Sequence, residues 1–160
     1  MGWDAFTAIV ERDPEIEALL CIALQAIITT GLGSKRKLLQ RVVANAMTST
    51  EPIAMAQLRT MALAELDAPH FRALTRLIHA EDMDAAEGKT DQPNNSLDQA
   101  VVKEPVPVLA ALIRTGIAYP AELVDHGDGT ASAPSPRELR LSGVTDFGRQ
   151  LLADLQRLDD

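Results

Sequence analysis

The chain has 160 residues, 46% of them apolar, 24% charged and only 3% aromatic, and its 15 basic and 23 acidic side chains leave a net charge of −8. This length suits one modest domain or two small ones, able to bury about 70% of the unfolded surface without a metal or disulfide staple. The charge excludes a surface that is basic all round, and the one cysteine, Cys21, cannot form an intramolecular bridge, which fits a reducing compartment.

The opening Met1-Gly2-Trp3-Asp4 lacks the basic region of a secretory leader. The longest apolar run, residues 18–28, is interrupted by Gln25 and falls short of the ~20 residues that cross a bilayer. A cytoplasmic protein with no membrane span is therefore expected. Charge is uneven along the chain: residues 1–34 carry −4, 35–66 carry +3, 67–104 carry −4 and 105–160 carry −3. Lys35, Arg36, Lys37 and Arg41 supply most of the positive segment, so any nucleic-acid reading has to use them.

Residues 15–30 read as a helix, apolar at ten of eleven positions between 18 and 28. A helix apolar on every side is buried on every side, either at the centre of the fold or in a subunit interface. Leu19, Leu20, Leu24, Ile27 and Ile28 are the expected oligomer contacts, within a helical dimerisation region covering residues 1–66. Gly31 and Gly33 end this helix, Ser34 is the expected N-cap, and a second helix follows over 35–47. Its apolar residues Leu38, Leu39, Val42, Val43 and Ala46 share one face, while Lys37 and Arg41 mark a basic outer stripe. The three cations at its start oppose the helix dipole; either they are simply solvated, the preferred explanation, or they meet an acidic partner.

A loop around Ser49 feeds Pro52 into a third helix ending near Leu66. Asp67 then caps a fourth over 68–80, with Phe71, Leu74, Leu77 and Ile78 inward. Residues 81–95 are acidic and aperiodic and read as a long flexible loop. A short capped helix over 96–102 precedes another that carries Val108, Leu109, Leu112 and Ile113 after Pro105 and Pro107, with Gly116 suited to a left-handed C-terminal cap. Residues 123–124 and 139–141 are extended candidates around turn chemistry at 125–136. Thr145 caps a last helix, with Phe147, Leu151, Leu152 and Leu155 inward. The fold class is mainly α with a small β-hairpin.

From residue 67 onward the order helix, short helix, helix, strand, Gly/Pro-rich hairpin, strand, helix resembles a winged-helix domain. Residues 109–117 (LAALIRTGI) are similar to the end of the third helix in such domains. Residues 144–152 (VTDFGRQLL) are similar to the entry into the helix after the wing in the multiple-antibiotic-resistance and phenolic-acid repressor families. The resemblance implies a winged-helix-like module over 67–160 behind the helical half. The whole chain also resembles a loose group of uncharacterised bacterial proteins, some associated with abortive phage infection, through the spacing of Lys35-Arg36-Lys37-Leu38-Leu39 and Leu66-Asp67-Ala68-Pro69-His70. Fold resemblance alone does not assign function.

The departures from a DNA-binding pattern carry weight. The segment that would enter the major groove, 105–115, offers Arg114 and no Asn, Gln or Ser, although base readout uses several polar side chains there. The wing region has Asp125 and Asp128 and no cation before Arg137, where phosphate contact calls for basic residues. The candidate set for nucleic acid or an acidic partner is therefore Lys35, Arg36, Lys37, Arg41, Lys103, Arg114, Arg137 and Arg140.

Catalysis and metal binding find little support. His70 and His79 lie nine apart on one helix, about 180° around it, and cannot share a metal. Residues 82–88 begin like a calcium loop, but Ala86 occupies a ligand position and no Glu closes the twelve. Gly31-Leu32-Gly33-Ser34-Lys35 lacks the four-residue spacer of a phosphate loop. Cys21 sits in an apolar run, where an inert thiol is expected. No cofactor, metal or enzymatic activity is expected. The leading expectation is a non-catalytic interaction or assembly protein that forms a homo-oligomer and engages another protein. The alternative is a DNA-binding transcriptional regulator.

Overall fold

The computed structural model describes residues 3–48, 50–90, 95–121, 124–125, 131–132 and 141–158. It is mainly α-helical, with eight helices and two short antiparallel ladders among the described residues. The mainly α fold with a small hairpin follows from the sequence pattern. The chain divides into two compact units, Met1–Asp67 together with Asp154–Asp160, and Ala68–Ala153.

The first unit contains α1 (Trp3–Arg12), α2 (Pro14–Thr29), α3 (Gly33–Met47) and α4 (Ile53–Glu65). Helix α1 has no counterpart in the sequence reading. Asp13 starts α2 by accepting the Glu15 N–H at 3.0 Å, and Pro14 occupies the first turn, where its missing N–H costs nothing. Helices α2, α3 and α4 pack pairwise around Leu19, Leu39, Val42 and Leu63, all at or near zero exposure.

Composition misled the reading of α2. Its buried residues Ile16, Leu19, Ala23 and Ala26 follow helical spacing on one face, whereas Leu24 is 55% and Ile28 78% exposed. Leu19 belongs to the unit's own core at 0% exposure, so the expectation that it contacts another subunit is corrected. Ser34 is corrected as well: Leu32 is the N-cap of α3, without a side-chain cap bond, and Ser34 is buried inside the first turn.

The second unit opens with α5 (Ala68–Glu87), then α6 (Ser96–Lys103) and α7 (Val106–Arg114). The expected loop over 81–95 is corrected at its start, because α5 continues to Glu87 and ends at Gly88, whose φ of 66° suits glycine. Residues 91–94 lie outside the described set. Helix α7 closes as foreseen. Gly116 adopts φ 72°, its N–H returns to Ile113 O at 2.9 Å, and the Ile117 N–H returns to Leu112 O at 2.9 Å.

This turn launches β1 (Ala118–Pro120), which pairs antiparallel with β4 (Leu141–Val144) through Ala118↔Val144 and Tyr119↔Gly143. A second ladder joins β2 (Val124–Asp125) to β3 (Ala131–Ser132). Strand β1 was not foreseen. Of the extended candidates, Leu123, Leu139 and Arg140 lie outside the described residues, as do wing residues 126–130 and 133–140. Thr145 caps α8 (Asp146–Gln156), its hydroxyl accepting the Gly148 N–H at 3.0 Å and donating toward Gly116 O and Ile117 O. Gly148 is needed for close approach: a Cβ there would lie 2.6 Å from Ile117 O and 2.8 Å from Ile117 Cγ2.

Candidate functional site

The cation cluster at the start of α3 is built differently from a phosphate-binding patch. Lys35 is only 1% exposed; its ammonium donates to Leu66 O at 2.6 Å and to Asp67 Oδ1 at 3.1 Å. Arg36 turns its guanidinium back to Thr30 O, at 2.7 Å from Nη2 and 3.2 Å from Nε. Lys37 donates to Leu158 O at 3.1 Å. Thr30 and Leu66 are the C-cap residues of α2 and α4. Two of the three cations thus complement the negative ends of neighbouring helices, which offsets their unfavourable place at the positive end of α3. The expectation of simple solvation is corrected for Lys35, which is also corrected as a surface contact because its ammonium is buried in the fold, whereas Arg36 and Lys37 are exposed.

Arg41 is exposed on α3. Lys103 and Arg114 are exposed at the last turns of α6 and α7 in the second unit. Arg137 and Arg140 lie outside the described residues. Around Lys103 the exposed surface is apolar: Val102 is 85% and Val106 38% exposed, and Pro105 and Pro107 on either side of Val106 are exposed too.

Acidic residues in the second unit hold its elements together. Glu104, the C-cap of α6, takes a two-pronged contact from Arg76 on α5, Nε to Oε1 at 2.6 Å and Nη2 to Oε2 at 2.8 Å. That pairing holds the Arg76 guanidinium above its ordinary pKa, against the partial desolvation that opposes its charge. Asp84, 1% exposed, accepts the N–H groups of Ser96 and Leu97, both at 2.9 Å, at the start of α6. Burial alone raises the pKa of a carboxylate, but here the hydrogen bonds from Leu97 and Ser96 and the charge of Lys89 together outweigh it, and Asp84 is held below its ordinary value. The calcium-like motif of residues 82–88 therefore contains a helix clamp.

Glu81 and Asp82 bind Arg149 of α8, Nη2 to Glu81 Oε2 at 2.6 Å and Nη1 to Asp82 Oδ1 at 2.8 Å. Desolvation opposes the charge on Arg149, yet these two partners raise its pKa. None of Glu81, Asp84, Glu104 or Arg149 stood out as structural in sequence.

His70 and His79 both lie on α5, and His126 falls outside the described residues. Among the described residues, no group of three or more His, Cys, Asp or Glu side chains could hold a metal ion. No described helix is long and apolar enough to cross a membrane. Cys21 is exposed on the outer side of α2, a correction to the apolar setting expected for its thiol.

Among the described residues are two concavities of note. One, of about 390 Å³, lies between α5 and α6 beside His79, Met83 and Lys103. The other, of about 640 Å³, lies in the first unit beside Asp13, Met47 and Glu51. Compared with family models, curated proteins and solved structures, the chain matches none of them.

Proposed function

We propose that this chain is a non-catalytic interaction and assembly protein built on a winged-helix-like module. The observation that carries the reading is the surface around the start of α7. Val102 and Val106 are exposed there, Val106 between Pro105 and Pro107, where a base-reading helix needs polar side chains. Exposed apolar side chains suit a protein partner, and clusters of them mark interaction sites. The internal commitment of Lys35 supports the same order of preference, because it removes one member of the densest cation cluster.

Self-assembly is part of the proposal. On α2 the exposed pair Leu24 and Ile28, one turn apart, is flanked by half-buried Leu20 and Ile27. This apolar stripe is suited to a second copy in an isologous dimer. Light scattering of the full chain at micromolar concentration tests it: a dimer of the 17.3 kDa chain is expected, and the double variant L24E/I28E should be monomeric. A clean wild-type monomer overturns the self-assembly reading.

The order α5, α6, α7, β1, β4, α8 favours one rival reading, a DNA-binding regulator that uses the same module. Its contacts would come from Arg36, Lys37, Arg41, Lys103 and Arg114, together with Arg137 and Arg140 of the sequence-derived set. A gel-shift series against ionic strength separates the two readings.

A further inference from the structure

The groove between α5 and α6, of about 390 Å³, is formed by two matched helical stripes. Arg76, His79, Ala80 and Met83 stand at i, i+3, i+4 and i+7 on α5, and residues 96, 99, 100 and 103 repeat that spacing on α6. The helices run antiparallel, because Arg76 meets Glu104 at one end and Asp84 accepts the Ser96 N–H at the other. Two turns of each helix therefore line the groove over about 10 Å. Its ends differ in chemistry. Toward one end Lys103 and His79 are exposed and have no partner among the described residues. Arg76 spends Nε and Nη2 on Glu104, which cancels its charge, so the net charge here is the one that Lys103 supplies. Toward the other end the lining is Ala80, Ala100 and Met83, the last 42% exposed.

We propose that this groove seats about two turns of an acidic amphipathic helix from another protein, a carboxylate of which pairs with Lys103 while a large apolar side chain packs on Ala80, Met83 and Ala100. The proposal rests on the reading of the chain as an interaction protein and names the chemistry of the partner. Charge complementarity selects the occupant, because the cationic end and the apolar end together call for a segment that carries both a carboxylate and a hydrocarbon side chain. Met83 suits the apolar contact, since its flexible thioether adapts to the side chain it meets. A nucleic-acid backbone fits poorly: one uncompensated cation neutralises one phosphate, and the alanine and methionine lining offers nothing to the next. The self-assembly stripe lies on α2 and shares no residue with this groove.

An NMR titration of the full chain with two acetylated, amidated peptides tests the site, at neutral pH and ~150 mM salt to screen the chain's net charge of −8. Both peptides are about 15 residues long, enough for a helix to form, with Leu and Ala on one face. One carries Glu beside that face and the other carries Gln at the same positions. The glutamate peptide should produce saturable shifts at Ala80, Met83 and Ala100 by about 1 mM, and the glutamine peptide should bind at least about threefold more weakly, as an exposed ion pair allows. Lys103→Glu, at an exposed position, should weaken the glutamate peptide by at least a similar factor. Absence of saturation, equal response to the two peptides, undiminished binding by folded Lys103→Glu, or shifts that map elsewhere would each overturn the proposal without touching the light-scattering test of self-assembly. Loss of the dimer in Lys103→Glu would give the groove to a second copy, and saturation of the same residues by duplex DNA at ~150 mM salt would give it to nucleic acid; each overturns the proposal. If Lys103→Glu does not fold, the comparison of the two peptides on the unaltered chain decides alone.

Discussion

Lys35 Nζ stands 2.6 Å from Leu66 O, so a residue at the first turn of α3 caps the last turn of α4. The final carbonyls of a helix have no partner within it, and a cation there is favourable. With Arg36 on Thr30 O, the run Lys35-Arg36-Lys37 becomes a device for closing helices. This accounts for cations at the positive end of α3 without invoking a ligand.

The energetic consequence is testable. Lys35→Ala removes a buried stem and a carbonyl's donor and should cost about 2–4 kcal/mol. Lys35→Met keeps the volume and should cost about 1–2 kcal/mol, since the other partner, Asp67, is 63% exposed at its side chain and contributes little. Urea unfolding with an unchanged slope gives both values. A Lys35→Ala variant within about 0.5 kcal/mol of the parent would mean that the ammonium is solvated after all.

Periodicity held the signal that residue type concealed. Lys35 precedes Leu38, Leu39 and Val42 at spacings of three, four and seven, on the buried face, but lysine is rarely fully buried unless paired. Asp84 likewise continues the series Leu77, Ala80 at helical spacing, and the acidity around it hid the last turns of α5. Gly116, Thr145 and Gly148 were legible because local backbone chemistry alone determines their roles. Strand β1 was not, being three residues long with proline at its end. The exposed face of α2 was hidden for the opposite reason: a helix apolar all round gives no indication of which side its neighbours cover. The large cavity was equally hidden, because Asp13, Met47 and Glu51 come together only after three helices have packed.

Asp84 gives the fold an acid-sensitive clamp. Its native pKa is lowered, so the stability it contributes is fully present above the ordinary carboxylate value of 3.8 and is lost as pH falls through the lowered native value. Asp84→Asn presents an amide where two backbone N–H groups need acceptors. It should destabilise the chain at neutral pH and shrink the loss of stability on acidification. Denaturant midpoints at pH 7 and pH 3 measure both effects, and parallel curves for parent and variant would show that Asp84 does not contribute to the acid dependence.

Gly148→Ala drives a methyl group to within 2.6 Å of the backbone oxygen of Ile117, with Val144 Cγ1 at 3.1 Å, so relief requires moving α8 off the β1–β4 ladder. A cost of about 1–3 kcal/mol is expected, despite the better helix propensity of alanine. Gly33→Ala is the control, because a Cβ there meets nothing within 4 Å, and its effect should be neutral or slightly stabilising. Equal thermal shifts for the two variants would contradict the close approach.

Thr60 is fully buried on α4 and its hydroxyl has no partner among the described residues. Thr60→Val keeps the branched shape and removes the unpaired group, so it should stabilise the chain by up to about 1 kcal/mol. A measurable loss of stability in chemical unfolding would show that the hydroxyl is bonded.

Binding to duplex DNA separates the assembly reading from the regulator reading. If the assembly reading is right, any retardation of duplex DNA is nonspecific and vanishes by ~150 mM salt, where the Debye length is ~8 Å. If the regulator reading is right, exposed cations must meet phosphate, and each contact removed flattens the dependence of log affinity on log salt by nearly one unit. Arg41→Ala and Lys103→Ala should then each lower that slope without altering sequence preference, because phosphate contacts position and do not specify. Lys35→Met should leave the slope unchanged under either reading, since its ammonium is already spent on Leu66 O. Sequence-specific retardation that survives ~150 mM salt would therefore place the regulator reading first.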